Sequence, residues 1–117
     1  MARNIVIVLN DGPYGSERTY NGLRVGLSLL PQAETAVQVF LLGDAVQCAV
    51  SDQLTPQGYY NVERMVQSLA SRGAVATCTT CANARGIGPD RLTEGVEPAS
   101  LQLLAEWLVA ADQVLVF

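Results

Sequence analysis

The run NIVIVLN (residues 4–10) decides the fold. It is a continuous apolar, β-branched stretch without polar alternation, the pattern of a strand covered on both faces. It breaks into the turn Asp11-Gly12-Pro13. From Ser16 to Leu30 the apolar residues Tyr20, Leu23, Leu27 and Leu30 recur at steps of three and four, one face of a helix that Pro31 stops. Gly22 and Gly26 lie in this helix and allow it to pack closely on a neighbour, at a cost in helix propensity. A second buried strand, AVQVFLLG (36–43), follows. Strand, helix, strand then repeats along the chain. DAVQCAV (44–50) reads as a short helix with Asp44 suited to cap its start, and SDQLTPQG as a loop. YYNVERMVQSLASRG (59–73) reads as a helix with Val62, Met65, Val66 and Leu69 inward and Gly73 as its stop. AVATC (74–78) is a third strand and LTEGVE (92–97) a short further one. PASLQLLAEWLVAAD (98–112) is a helix with Pro98 in its first turn, and QVLVF (113–117) is a closing strand. This alternation predicts an α/β protein: a parallel sheet of four to five strands with helices on both faces, in one domain spanning 1–117.

Of the 117 residues, 50% are hydrophobic and 15% charged, against roughly 25% charged in an average soluble domain. So little charge on so short a chain predicts that other subunits cover part of the surface. The net charge is −4 and the seven cationic residues are scattered, which leaves no electrostatic footprint for nucleic acid. The apolar run near the N-terminus is too short for a secretory leader or a membrane span. The expectation is a cytoplasmic homo-oligomer in a reducing compartment, where a Cys-x-x-Cys pair is catalytic or metal-binding rather than a structural disulfide.

The chain has no histidine, so any chemistry within one subunit must use cysteine, carboxylate, tyrosine, arginine or backbone groups. Ligands of open parallel sheets bind beyond the carboxyl ends of the strands. Three segments leave that edge: NDGPYGS, GDAVQC and CTTCANARG. The third carries Cys78 at a strand end and Cys81 one helical turn later. A thiol beside the free N–H groups of a helix start, with Arg85 nearby, is expected to have a lowered pKa and to act as a nucleophile. Asp11, Gly12, Tyr14 and Asp44, from the first two segments, are expected to support its pocket together with Arg85. Cys48 reads as a small packing residue. A zinc site would need an unusual set of three cysteines with Asp44, so neither metal nor cofactor is expected. A thioredoxin-like role shares the Cys-x-x-Cys motif but places it after the first strand rather than the third.

Several stretches in order then resemble a known family. NIVIVLNDGPYGSERTYNGLR, VFLLGDAV, GYYNVERMVQSL, CTTCANARGI and LAEWLVAADQVLVF are similar to the DsrE/DsrF-like proteins, and within them to the YchN-like members. The resemblance covers essentially the whole chain. It implies a three-layer α/β/α sandwich assembled as trimers or hexamers. It also implies a cysteine that accepts persulfide sulfur from a donor protein and passes it to an acceptor, a role that falls on Cys78 before the helix ending in Arg85-Gly86. The relay members commonly lack a cysteine at the position of Cys81. Two alternatives stay open beside sulfur relay: a dithiol oxidoreductase using Cys78 and Cys81, and a non-catalytic oligomer that binds a small ligand.

Overall fold

The computed structural model describes residues 2–117. Its five strands are β1 (Arg3–Leu9), β2 (Thr35–Leu41), β3 (Ala74–Cys78), β4 (Val96–Ala99) and β5 (Gln113–Val116). They form one parallel sheet in the order β4-β3-β2-β1-β5. The helices are α1 (Arg18–Leu29), α2 (Val62–Arg72), α3 (Thr79–Asn83) and α4 (Leu101–Ala110), with 3-10 segments at Gly43–Ala49 and Pro89–Arg91. The chain steps from β1 to β4 in one direction and then returns across the sheet to place β5 beside β1. Right-handed crossovers therefore put α1 and α2 on one face and α4 on the other, giving three layers. No helix among the described residues is long and apolar enough to cross a membrane.

The unbroken apolar run of β1 is explained by its place between β2 and β5, where residues 5 to 9 are all buried. Ile7, Val39 and Val75 form one row across the sheet, and Val8, Phe40 and Ala76 the next. The first row faces α1 and α2: a methyl built on Gly26 would touch both Ile7 and Leu69. The second faces α4, where the Phe40 ring meets Trp107 edge-on at 5.8 Å.

Several expectations are corrected in detail. The buried stripe of α1 is Thr19, Gly22, Leu23 and Gly26, turned from the stripe read from sequence, because the glycines bring the helix axis close to the sheet. A methyl on Gly22 would run into Leu9 and Phe117, and Tyr20 is left to stack on Tyr60. Residues 43–49 form a 3-10 rather than an α-helical segment, and the Asp44 side chain makes no cap there. Pro98 lies in β4, not in the first turn of the following helix, which begins at Leu101. β4 is an edge strand, the place in a sheet where proline is tolerated.

Gly73 ends α2 as expected, but close approach is its reason. Its φ of −136° is open to any residue, yet a Cβ there would collide with the Val37 carbonyl oxygen. Gly73→Ala is expected to cost about 1–3 kcal/mol by forcing the α2–β3 junction off β2. Chemical denaturation reads this as a lower midpoint, and an unchanged midpoint would contradict the tight junction.

Candidate functional site

The carboxyl edge of the sheet gathers the loop after β1, the 3-10 segment after β2 and α3 after β3. Cys78 is the last residue of β3 and the residue that precedes α3. Its backbone is still extended (φ −67°, ψ 116°), which turns its Sγ back to accept the Cys81 N–H at 3.4 Å. By strand alternation its side chain falls on the same face as Phe40 and Ala76, the α4 side of the sheet. It is buried, with 3% of its surface exposed, whereas Cys81 is half-buried.

This setting reverses the expected electrostatics of Cys78. Burial pushes its thiol above the ordinary cysteine range, and the neighbouring Cys81 thiol adds to the rise. The N–H groups of Cys81 and Thr80 pull the other way and are outweighed. Helix-start donors stabilise a thiolate only where water or charge replaces the lost hydration, and a five-residue helix offers little dipole.

Arg85 does not contribute the charge expected of it at the sulfur. Its guanidinium pairs with Asp44 Oδ1 (Nη2 at 2.9 Å, Nε at 3.0 Å) and donates from Nη1 to the Cys81 carbonyl at 3.0 Å. Arg85 is thus a strut that ties the end of α3 to the 3-10 segment. Asp44 and Arg85 thus meet each other in an ion pair rather than meeting the Cys78 sulfur.

Asp11 and Gly12 lie beside Asp44. A methyl on Gly12 would stand 3.6 Å from Asp44 Cβ, and Asp11 accepts from Ser16 Oγ at 3.3 Å and pairs with Arg18 at 3.6 Å. Together with Gln47 they line a cavity of about 410 Å³. Tyr14 turns away from that cavity, held at φ 66°. Its hydroxyl donates to Gln53 Oε1 and accepts the Val62 N–H at 3.0 Å, capping α2. It borders a second cavity of about 350 Å³ with Gln47, Gln53, Arg85 and Arg91. Cys78 lines neither cavity, so the single pocket expected around the thiol is divided between the two sides of the Pro13–Gln47 ridge.

Sequence reading missed two features here. Gln53 is the hub of the loop after the 3-10 segment. Its carboxamide donates to the Cys48 and Val50 carbonyls, both at 2.9 Å, and its N–H donates to Glu63 Oε1 at 2.9 Å. Nothing in the sequence distinguishes this glutamine from other loop residues. The second feature is a stack of all four tyrosines: Tyr20 on Tyr60 at 3.9 Å, Tyr60 on Tyr59 at 4.4 Å and Tyr14 on Tyr60 at 5.6 Å. The Tyr59-Tyr60 pair was the visible signal for it. Cys48 is fully buried, and burial pushes its thiol up to about 12, which agrees with a packing role.

Alkylation of the native protein separates the three thiols. Cys81, the most accessible, is expected to react first. Cys78 should react measurably only as the pH rises beyond the usual cysteine value of about 8.5, since its neutral form is favoured by burial. Cys48 should resist throughout. Labelling of Cys78 ahead of Cys81 at neutral pH would contradict the raised Cys78 pKa.

Comparison with known proteins adds four findings. A family model described as the DsrE/DsrF-like family matches residues 3–117. The chain is 39% identical over 117 residues to Protein YchN of Escherichia coli K12, covering 98% of this chain and 99% of that one. The crystal structure of the E. coli ychN protein superposes with a TM-score of 0.92, covering 100% of both chains. A more distant relative, a Sulfurtransferase TusD homolog of Vibrio vulnificus YJ016, is 26% identical over 129 residues, covering 99% of this chain and 98% of its own.

Proposed function

Because this chain belongs to the DsrE/DsrF-like family, we propose that it is a cytoplasmic sulfur carrier that accepts persulfide sulfur on Cys78. One observation carries the reading. Cys78 stands at a strand end, its Sγ turned to the start of α3 where it accepts the Cys81 N–H at 3.4 Å, with a second thiol three residues on. The similarity to a protein named as a sulfurtransferase homologue supports sulfur as the cargo.

The steps balance without an external redox agent until the last. Cys78 loses its proton, and its thiolate attacks the outer sulfur of a donor R–S–SH. A Cys78 Sγ–S bond forms, the donor S–S bond breaks, and the donor leaves as R–S⁻. The Cys78 persulfide then passes its outer sulfur to an acceptor thiolate by the same exchange. In the alternative discharge, the Cys81 thiolate attacks Cys78 Sγ and expels HS⁻. The outer sulfur is reduced to sulfide, the two cysteines are oxidised to a disulfide, and an external thiol reductant restores them. Burial keeps Cys78 neutral at rest, so docking of a donor that brings positive charge or opens the α4 side would promote ionisation.

The carrier works as a homo-oligomer, a trimer or a hexamer. The outer side of α4 and strand β5 expose Leu101, Leu108, Val109, Val114 and Val116, with Val109 90% and Val116 65% accessible. Such an apolar surface beside an open sheet edge is a site of association.

The test is the intact mass after incubation with a persulfide donor and removal of small molecules. A gain of one sulfur atom per chain supports the carrier. No gain, with a reversible Cys78–Cys81 disulfide formed by oxidants, would replace it with a dithiol oxidoreductase.

A further inference from the structure

The cavity bordered by Tyr14 is not used by this sulfur chemistry, and its lining is unlike its surroundings. Its eight residues include Arg85 and Arg91 and no carboxylate, in a chain of net charge −4. The cavity across the Pro13–Gln47 ridge has the opposite character, with Asp11 and Asp44 and no cation. Arg85 is already neutralised by Asp44. Arg91, among the described residues, pairs with no carboxylate.

The backbone of Arg91 is held in place, while its exposed side chain is tethered at one nitrogen. Its N–H donates to the Gly88 carbonyl at 3.0 Å, and its own carbonyl accepts from Ser51 N at 2.8 Å and Ser51 Oγ at 3.1 Å. Its Nη1 donates to the Gly86 carbonyl at 3.2 Å. A guanidinium has five N–H donors in a planar fork, so donors remain after this bond. The facing wall is rigid: the Tyr14 hydroxyl is shared between Gln53 and Val62, and the Gln53 carboxamide is held by two carbonyls. Pro13, Val50 and Ile87 supply apolar surface between these groups.

We propose that this cavity is a binding site for a small organic oxyanion, with its acidic group on the Arg91 guanidinium and its short apolar part against Val50 and Ile87. A guanidinium tethered only at Nη1 and paired with no carboxylate, beside a preformed wall, favours a planar or tetrahedral oxyanion through charge-assisted hydrogen bonds. The volume of about 350 Å³ is at the small end of ligand cavities, which selects an acid of a few carbons over a nucleotide or a peptide.

The experiment titrates the arginine-labelled protein with butyrate, with propanesulfonate and with neutral butyramide, following the side-chain Nε–H signals by NMR. Both anions should shift the Arg91 signal saturably while the Arg3 and Arg72 signals stay in place, and butyramide should leave all of them unmoved. Arg91→Gln should weaken butyrate binding by about tenfold or more, the loss of one charge-assisted contact. Cys78→Ser, which the carrier reading expects to load no sulfur, should bind butyrate as the parent does. Failure of sulfur loading and failure of anion binding are thereby read separately. Equal response to butyramide, a uniform shift of all arginines, or undiminished binding by Arg91→Gln would each overturn the proposal.

Discussion

Cys78→Ser is expected to take up no sulfur from a persulfide donor, and Cys81→Ser to load fully and keep its load longer than the parent. The first variant removes the only cysteine whose sulfur is reached by the N–H groups that start α3. A hydroxyl there is too weakly acidic to replace a thiolate. The second variant keeps the acceptor and removes the nearest group able to discharge it. Attack by Cys81 is intramolecular, so it has an effective concentration that no dissolved thiol matches. The Cys78 sulfur already lies against residue 81, accepting the Cys81 N–H at 3.4 Å, though bonding still requires the sulfurs to close to disulfide distance. Intact mass followed over time decides the point. Equal lifetimes of the loaded form in parent and Cys81→Ser would remove the resolving role from Cys81, and loading of Cys78→Ser would remove Cys78 from the centre of the mechanism.

The second large effect concerns assembly. Val109→Glu combined with Val116→Glu is expected to convert the oligomer to a monomer. Both positions are exposed in the single chain and neither belongs to the buried core, so the substitution leaves the fold intact. In an assembled interface each carboxylate would be desolvated without a partner, a penalty of several kcal/mol, and a symmetric assembly repeats it at every contact. Light scattering should show the parent at three or more chain masses, as a trimer or a hexamer requires, and the variant at one, with the same far-ultraviolet circular dichroism. A parent that is already monomeric would refute the assembly, and a variant of unchanged mass would move the interface elsewhere.

How much of this was legible in the sequence depends on the range of the forces involved. The β1 run, the glycines of α1 and the apolar face of α2 are local patterns, and the structure uses each of them. The choice of strand for Pro98 is not local: it follows from β4 being the sheet edge, which depends on the order of all five strands. The stripe of α1 given by its apolar side chains is turned in the structure, because Gly22 and Gly26, legible as close-packing residues, themselves face the sheet at Leu9 and Ile7. At the site, the strand end at Cys78 and the helical turn after it were readable from the change of pattern. The Arg85–Asp44 pairing could not be read. An arginine seven residues after a cysteine has several partners in reach, and only the packing of α3 against the 3-10 segment selects Asp44 over the sulfur. The raised Cys78 pKa follows from the same cause, since burial is a property of the assembled layers.

Locating the transferred sulfur within the loaded chain shows whether Cys78 holds it. The protein is loaded with a persulfide donor, its free and persulfidated thiols are trapped by alkylation under denaturing conditions, and the digested peptides are weighed. The extra sulfur atom is expected on Cys78, with Cys48 unmodified and Cys81 as a free thiol or, after discharge, in a disulfide with Cys78. An extra sulfur found on Cys81 or Cys48 and absent from Cys78 would contradict this assignment.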